Sequence, residues 1–196
     1  MSIILGYKTE NKICLSSDKR LTDMVKGSYS DDATKMIVLN EHLAMACSGS
    51  RMAQDCFNNF IRKSNLSKWT IEDVIFKLDA MCSWFKIAKV EEVNKLGAYF
   101  IIGGLSTSGE ISLYSASYNH KKFSYGKDVE LAIYPPSDLD IQNCCNIYIP
   151  NFHKHFFNCM QRTVKEVSAL SKMVSPSGDI WTYDIELGCS SMEHFD

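Results

Sequence analysis

Two stretches of helical period lie inside a chain otherwise written in the short runs of strands, and this order narrows the fold more than any other feature. Met52, Ala53, Cys56, Phe57, Phe60 and Ile61 recur at helical spacing after Ser50, a candidate N-cap. Ile71, Val74, Ile75, Leu78, Met81, Cys82 and Phe85 repeat the pattern in a second helix, with Thr70 or Trp69 near its start. Before them, residues 3–8 and 12–17 read as strands joined by the polar turn Thr9-Glu10-Asn11. The polar stretch 23–34 reads as a loop or short edge strands, 35–39 resumes strand character, and Asn40-Glu41 turns the chain into 42–47.

After the two helices, strands return at 98–103 and 111–117 and again at 129–134, where Pro135-Pro136 stops the run. A long helix is expected over most of 151–172, with Phe152, Phe156, Met160, Val164 and Val167 on one stripe, and 180–185 closes the chain as a strand. Consecutive strands lie close enough for hairpins and do not alternate singly with helices. The expected class is therefore α+β, two antiparallel sheets flanked by helices, rather than a doubly wound parallel sheet. A chain of 196 residues fits one domain over 1–196, with no repeat or linker.

Composition excludes more than it identifies. A formal charge of −2 leaves no basic footprint for nucleic acid. Eight cysteines fall mostly at apolar positions and read as buried reduced thiols. There is no Cys-x-x-Cys, and Cys144-Cys145 has no His or Asp spaced to complete a metal site, so neither metal nor cofactor is expected. The absence of a basic n-region and of a membrane-length apolar run leads to the expectation of a cytoplasmic protein with no membrane partner.

The chemistry starts at Ser2. With Met1 removed, as a small second residue favours, its hydroxyl lies beside a free α-amine, a nucleophile carrying its own base. An α-amine titrates near 8, close to a working pH. Such a nucleophile needs a cation nearby and donors for the oxyanion. Lys35 is the candidate cation. A buried lysine needs a carboxylate, and Asp18 at the end of the second strand is placed to supply it. Gly49, between a strand and a helix, has no Cβ to keep its N–H from a substrate carbonyl.

The order Ser2, Asp18-Lys19-Arg20-Leu21-Thr22, Lys35, Ser48-Gly49 resembles proteasome β-type subunits and the related HslV-type bacterial peptidases, which are N-terminal nucleophile (Ntn) hydrolases. The likeness covers residues 2–117 clearly and the rest by element order, with about one extra residue before Lys35. It implies a four-layer αββα sandwich, amide hydrolysis by a threonine-peptidase-like site with a serine nucleophile, and ring assembly. On that likeness Ser2, Asp18, Lys35 and Gly49 are catalytic, and Arg20 supports the ion pair. Thr22 hydrogen-bonds the substrate backbone, and Leu21, Ala33 and Cys47 line a pocket for an apolar side chain. Peptide or unfolded protein would be the substrate. A separate ATPase would supply any unfolding, since the chain has no Gly-x-x-x-x-Gly-Lys-[Ser/Thr] loop.

The chain departs from the family in three places. Serine replaces the usual threonine, removing the methyl that restrains χ1. Where the family carries a Gly/Ser-rich loop whose serine supports the amine, residues 127–137 hold no recognisable counterpart. The family's Asp-x-x-Ser appears as Val174-Ser175-Pro176-Ser177, which keeps Ser177 as a supporting residue and loses the acid. Two alternatives follow: a catalytically inactive structural or interaction subunit, and a small-molecule amidase of the same superfamily. His120, His153 and His155 read as accommodated histidines, and Lys121-Lys122 as a solvated pair.

Overall fold

The computed structural model describes residues 2–23, 26–155 and 158–196. The N-terminal hairpin forms from β1 (Ile4–Lys8) and β2 (Lys12–Asp18), paired antiparallel from Ile4 opposite Ser17 to Lys8 opposite Ile13. Beyond β2 lie β11 (Gly178–Asp184) and β12 (Cys189–Phe195), and β10 (Leu131–Tyr134) flanks β1. The first sheet therefore runs β10-β1-β2-β11-β12.

The second sheet is a meander of β5 (Met36–Asn40), β6 (Leu43–Gly49), β7 (Ala98–Leu105), β8 (Ile111–Asn119) and β9 (Lys122–Gly126), in that order. A two-stranded ribbon, β3 (Leu21–Asp23) and β4 (Ser28–Ser30), occupies the polar stretch for which loop and short edge strands were both open.

The strands are apolar on both faces because each sheet is covered twice. In β2, Ile13 and Leu15 point into the space between the sheets while Cys14 faces the helices. In β6, Ala44 and Ala46 face the other sheet, while Leu43, Met45 and Cys47 face the first helices. The sheets approach closely at Gly103, where a Cβ would lie 2.5 Å from Ile13 Cγ2.

Helices α1 (Arg51–Ile61), α2 (Ile71–Ile87) and α3 (Glu91–Leu96) cover the second sheet, with Phe57, Leu78 and Phe85 at the centre of that core. The start of α2 is fixed by a capping box in which Thr70 and Asp73 exchange side-chain and backbone bonds. On the first sheet's outer face lie α4 (Ile141–Lys154) and α5 (Cys159–Leu170). The result is an α+β, four-layer αββα sandwich.

Residues 141–170 correct the expectation of one helix over most of 151–172. Asp140 caps α4 ten residues earlier than expected, its Oδ1 accepting the Asn143 N–H at 2.7 Å. His155 leaves helical geometry at φ −135°, ψ 44°, and α5 begins anew at Cys159. Met160, Val164 and Val167 are buried on α5 as the stripe implied, Phe152 belongs to α4, and Phe156 lies outside the described residues. Strands β9 and β12, and helix α3, had no counterpart in the expected element order. Among the described residues no helix is long and apolar enough to cross a membrane.

Candidate active site

Asp18 ends β2 with its carboxylate fully enclosed, and every bond it makes follows from that position. Oδ1 accepts the Lys35 ammonium at 2.9 Å and the Ile3 N–H at 3.1 Å. Oδ2 accepts the Arg20 N–H at 2.8 Å and the Ser175 N–H at 3.2 Å. A buried carboxylate is tolerable only when its lone pairs are met, and here four donors meet them.

Lys35 lies one residue before β5, and its carbonyl accepts the Cys47 N–H at 2.9 Å, so the pairing of β5 with β6 aims its side chain inward. Its side chain is 6 % exposed. Burial pulls the ammonium below its ordinary value, against the opposing pull of the Asp18 carboxylate.

Above this pair opens a small pocket whose wall includes Ser2, Leu21, Ala33, Lys35, Cys47 and Gly49. Its volume of about 30 Å³ is room for roughly a water or two. Ser2 is itself buried, its hydroxyl donates to the Arg20 carbonyl at 3.2 Å, and its carbonyl accepts the Ser48 hydroxyl at 2.9 Å. Ser48 at the end of β6 thus holds the backbone of the nucleophile candidate, and the segment after β2 holds its hydroxyl. Cys47 forms wall rather than reactive thiol, since burial pushes it far above the range of a thiolate.

Gly49 closes β6 at φ +95°, a conformation side chains rarely adopt, and a Cβ there would lie 2.6 Å from the Gly97 carbonyl oxygen. Its glycine is demanded by the packing of its own backbone as well as by any substrate. Ser50 occupies the N-cap position of α1 without capping it: its hydroxyl donates to Glu92 Oε1 at 2.6 Å, tying α1 to α3.

Arg20 faces away from the pocket. Its guanidinium grips Asp31 with two bonds of 2.7 Å, donates to the Lys172 carbonyl at 3.1 Å and lies 4.0 Å over the Tyr29 ring. The hydrogen bonds from Arg20 hold the Asp31 carboxyl below the usual carboxylate value. Strand alternation turns Thr22 toward a neighbouring groove bordered by Tyr29 and Ser168, so any bond from Thr22 to a substrate backbone in the Ser2 pocket would come from its main chain.

Ser177 reaches the site through an intermediary that sequence reasoning passed over. Ser175, fully buried, donates its hydroxyl to the Ser177 carbonyl at 2.8 Å and accepts the Lys19 N–H at 3.1 Å, while its own N–H holds Asp18. Its signal was slight: a small polar residue before Pro176, a hundred and more positions from its partners. Val174, before Ser175, is fully buried in the core beneath α4 and α5.

A sandwich of two antiparallel sheets with a serine, an aspartate–lysine pair and a strand-end glycine at one end is the architecture of the proteasome-like Ntn hydrolases. The family model for the proteasome subunit matches residues 2–127, and the chain belongs to that family. The match spans β1 to the end of β9 and contains Ser2, Asp18, Lys35 and Gly49. No curated protein matches the chain.

Proposed function

We propose that the protein is an N-terminal serine amidohydrolase that cleaves peptide bonds. With Met1 removed, the Ser2 hydroxyl adds to the scissile carbonyl as the α-amine takes its proton, and the Gly49 N–H receives the oxyanion. The amine returns the proton to the departing amino group, leaving an ester on Ser2. Water, deprotonated by the same amine, then hydrolyses that ester. Lys35 contributes positive charge beneath the hydroxyl, and Asp18 holds Lys35 in place. Leu21, Ala33 and Cys47 favour a small apolar side chain at the scissile residue. Family membership supports assembly into a ring in the cytoplasm, with unfolding left to a separate ATPase.

The observation that carries this reading is the Asp18–Lys35 pair, 2.9 Å apart and buried directly under the pocket that Ser2 lines. Burying two charges is costly, and a pocket that does so beside a nucleophile is a candidate for catalysis rather than stability. The test is intact-mass measurement of the N-terminus followed by exposure to an electrophilic β-lactone. Covalent labelling at Ser2 in protein lacking Met1 is expected, and processed protein that never labels would defeat the proposal.

A second reading, a non-catalytic subunit of the same fold, draws on two observations. Val174 stands buried where the family places an acid, and Pro135-Pro136, with no N–H to donate, follow β10 beside the start of β1. Retention of Met1 in protein from its native cell would favour that reading.

A further inference from the structure

Away from Ser2, α2 and the edge of the second sheet enclose a pocket of about 550 Å³, within the range of ligand sites in general. Glu72, Phe76 and Asp79 share one face of α2 at helical spacing, so a phenyl ring is bracketed by two carboxylates. Facing them are Tyr114 and Tyr125, whose rings are parallel to within 10° at a centroid distance of 6.4 Å. Phe76 is 70 % exposed and Tyr125 45 % exposed, an unusual outlay of aromatic surface beside acids. Glu72 is fixed at the rim, accepting the Thr107 N–H at 3.0 Å and the Tyr114 hydroxyl at 3.3 Å.

The walls select a ligand. An anion meets Glu72 and Asp79, and a purely apolar group covers the rings while stripping water from those carboxylates. A lysine side chain satisfies both, its methylenes lying on the rings and its ammonium between the acids. The chain supplies an example in cis: the Lys127 ammonium sits 5.8 Å from the Tyr125 ring centroid, on the pocket's border. Burial first, then the charge and hydrogen bond of Glu72 and the charge of Asp128, push the Tyr114 hydroxyl upward.

We infer that this pocket is a recognition site for a lysine side chain of a peptide segment, with Lys127 as its resident competitor. The site is independent of Ser2, and its test needs no catalytic readout.

Acetyl-Gly-Lys-Gly-amide and its norleucine counterpart would be titrated into the full chain, following the Tyr114 and Tyr125 ring resonances by NMR. The lysine peptide is expected to shift both rings saturably, more weakly at high salt, and to bind more tightly than the norleucine peptide. Asp79→Asn and Tyr125→Leu should each weaken binding about two- to fivefold, and Lys127→Ala should strengthen it. Equal binding of the two peptides, binding of neither, or no gain with Lys127→Ala would overturn the inference. Tetramethylammonium binding more tightly than the lysine peptide would overturn the peptide as the source of the cation.

Discussion

Two ion pairs leave the same short segment and could hardly differ more. Asp18 and Lys35 meet inside the protein, the carboxylate inaccessible and backed by three backbone N–H groups. Arg20 and Asp31 meet at its surface with better geometry, two bonds of 2.7 Å, yet Asp31 stays 36 % exposed. Geometry favours the outer pair and desolvation burdens the inner one. The inner pair is thus poor value as a staple, and its place under the Ser2 pocket points to charge positioning.

Removing one inner partner tests this most severely. Asp18→Ala leaves the Lys35 ammonium and three N–H groups unmatched and is expected to cost about 3–5 kcal/mol in urea unfolding. If it costs no more than Asp31→Ala, the contrast fails. Replacing both partners, Asp18→Leu with Lys35→Met, should recover part of that loss without restoring fast labelling of Ser2.

Lys35→Met alone should slow β-lactone labelling of Ser2 by roughly 10²–10³-fold, whereas Arg20→Ala should slow it far less. Comparable slowing in both would make the outer pair part of the catalytic machinery. Gly49→Ala, forced to φ +95° against the Gly97 carbonyl, should cost about 1–3 kcal/mol.

The smallest effect separates the pairs by pH. Asp31 has its folded value depressed, so its contribution is present above its unfolded value near 3.8 and lost as pH falls through the folded value. Asp31→Asn should remove that acid limb from the stability profile, at a cost of under about 1 kcal/mol at neutral pH. Lys35, a base with a depressed folded value, acts in the same direction at the alkaline end. Its burial penalty is relieved as pH rises from the folded value toward 10.5, and Lys35→Met should flatten that alkaline rise.

Much of the first half was legible because its signals are local. The short apolar runs of β1, β2, β6 and β7 and the helical spacing of α1 and α2 are properties of adjacent residues, and the elements fell where expected, although Met52 and Phe60 of the α1 stripe are exposed. The unexpected strands are edges: β9 and β12 bury one face only weakly, so their apolar alternation is faint. The α4–α5 break was hidden because apolar residues continue through it, with Pro150 and polar residues making 141–151 look unlike a helix. Ser175 was invisible for a different reason, since its role consists of bonds to residues 156 and 157 positions away.

By itself the sequence determined the layering and the family: strands apolar on both faces need cover on both sides, and the candidate residues Ser2, Asp18, Lys35 and Gly49 all fall within the stretch that matches the proteasome subunit family. Only the tertiary structure decided how those residues relate. It enclosed Asp18 and gave it four donors, turned Leu21 toward Ser2 and Thr22 away, and made Gly49 obligatory through the carbonyl of Gly97. Periodicity is written along the chain, but a buried charge is governed by the donors that surround it, and folding brings those from the residues just before β1 and β5, from Arg20 and from the approach to β11.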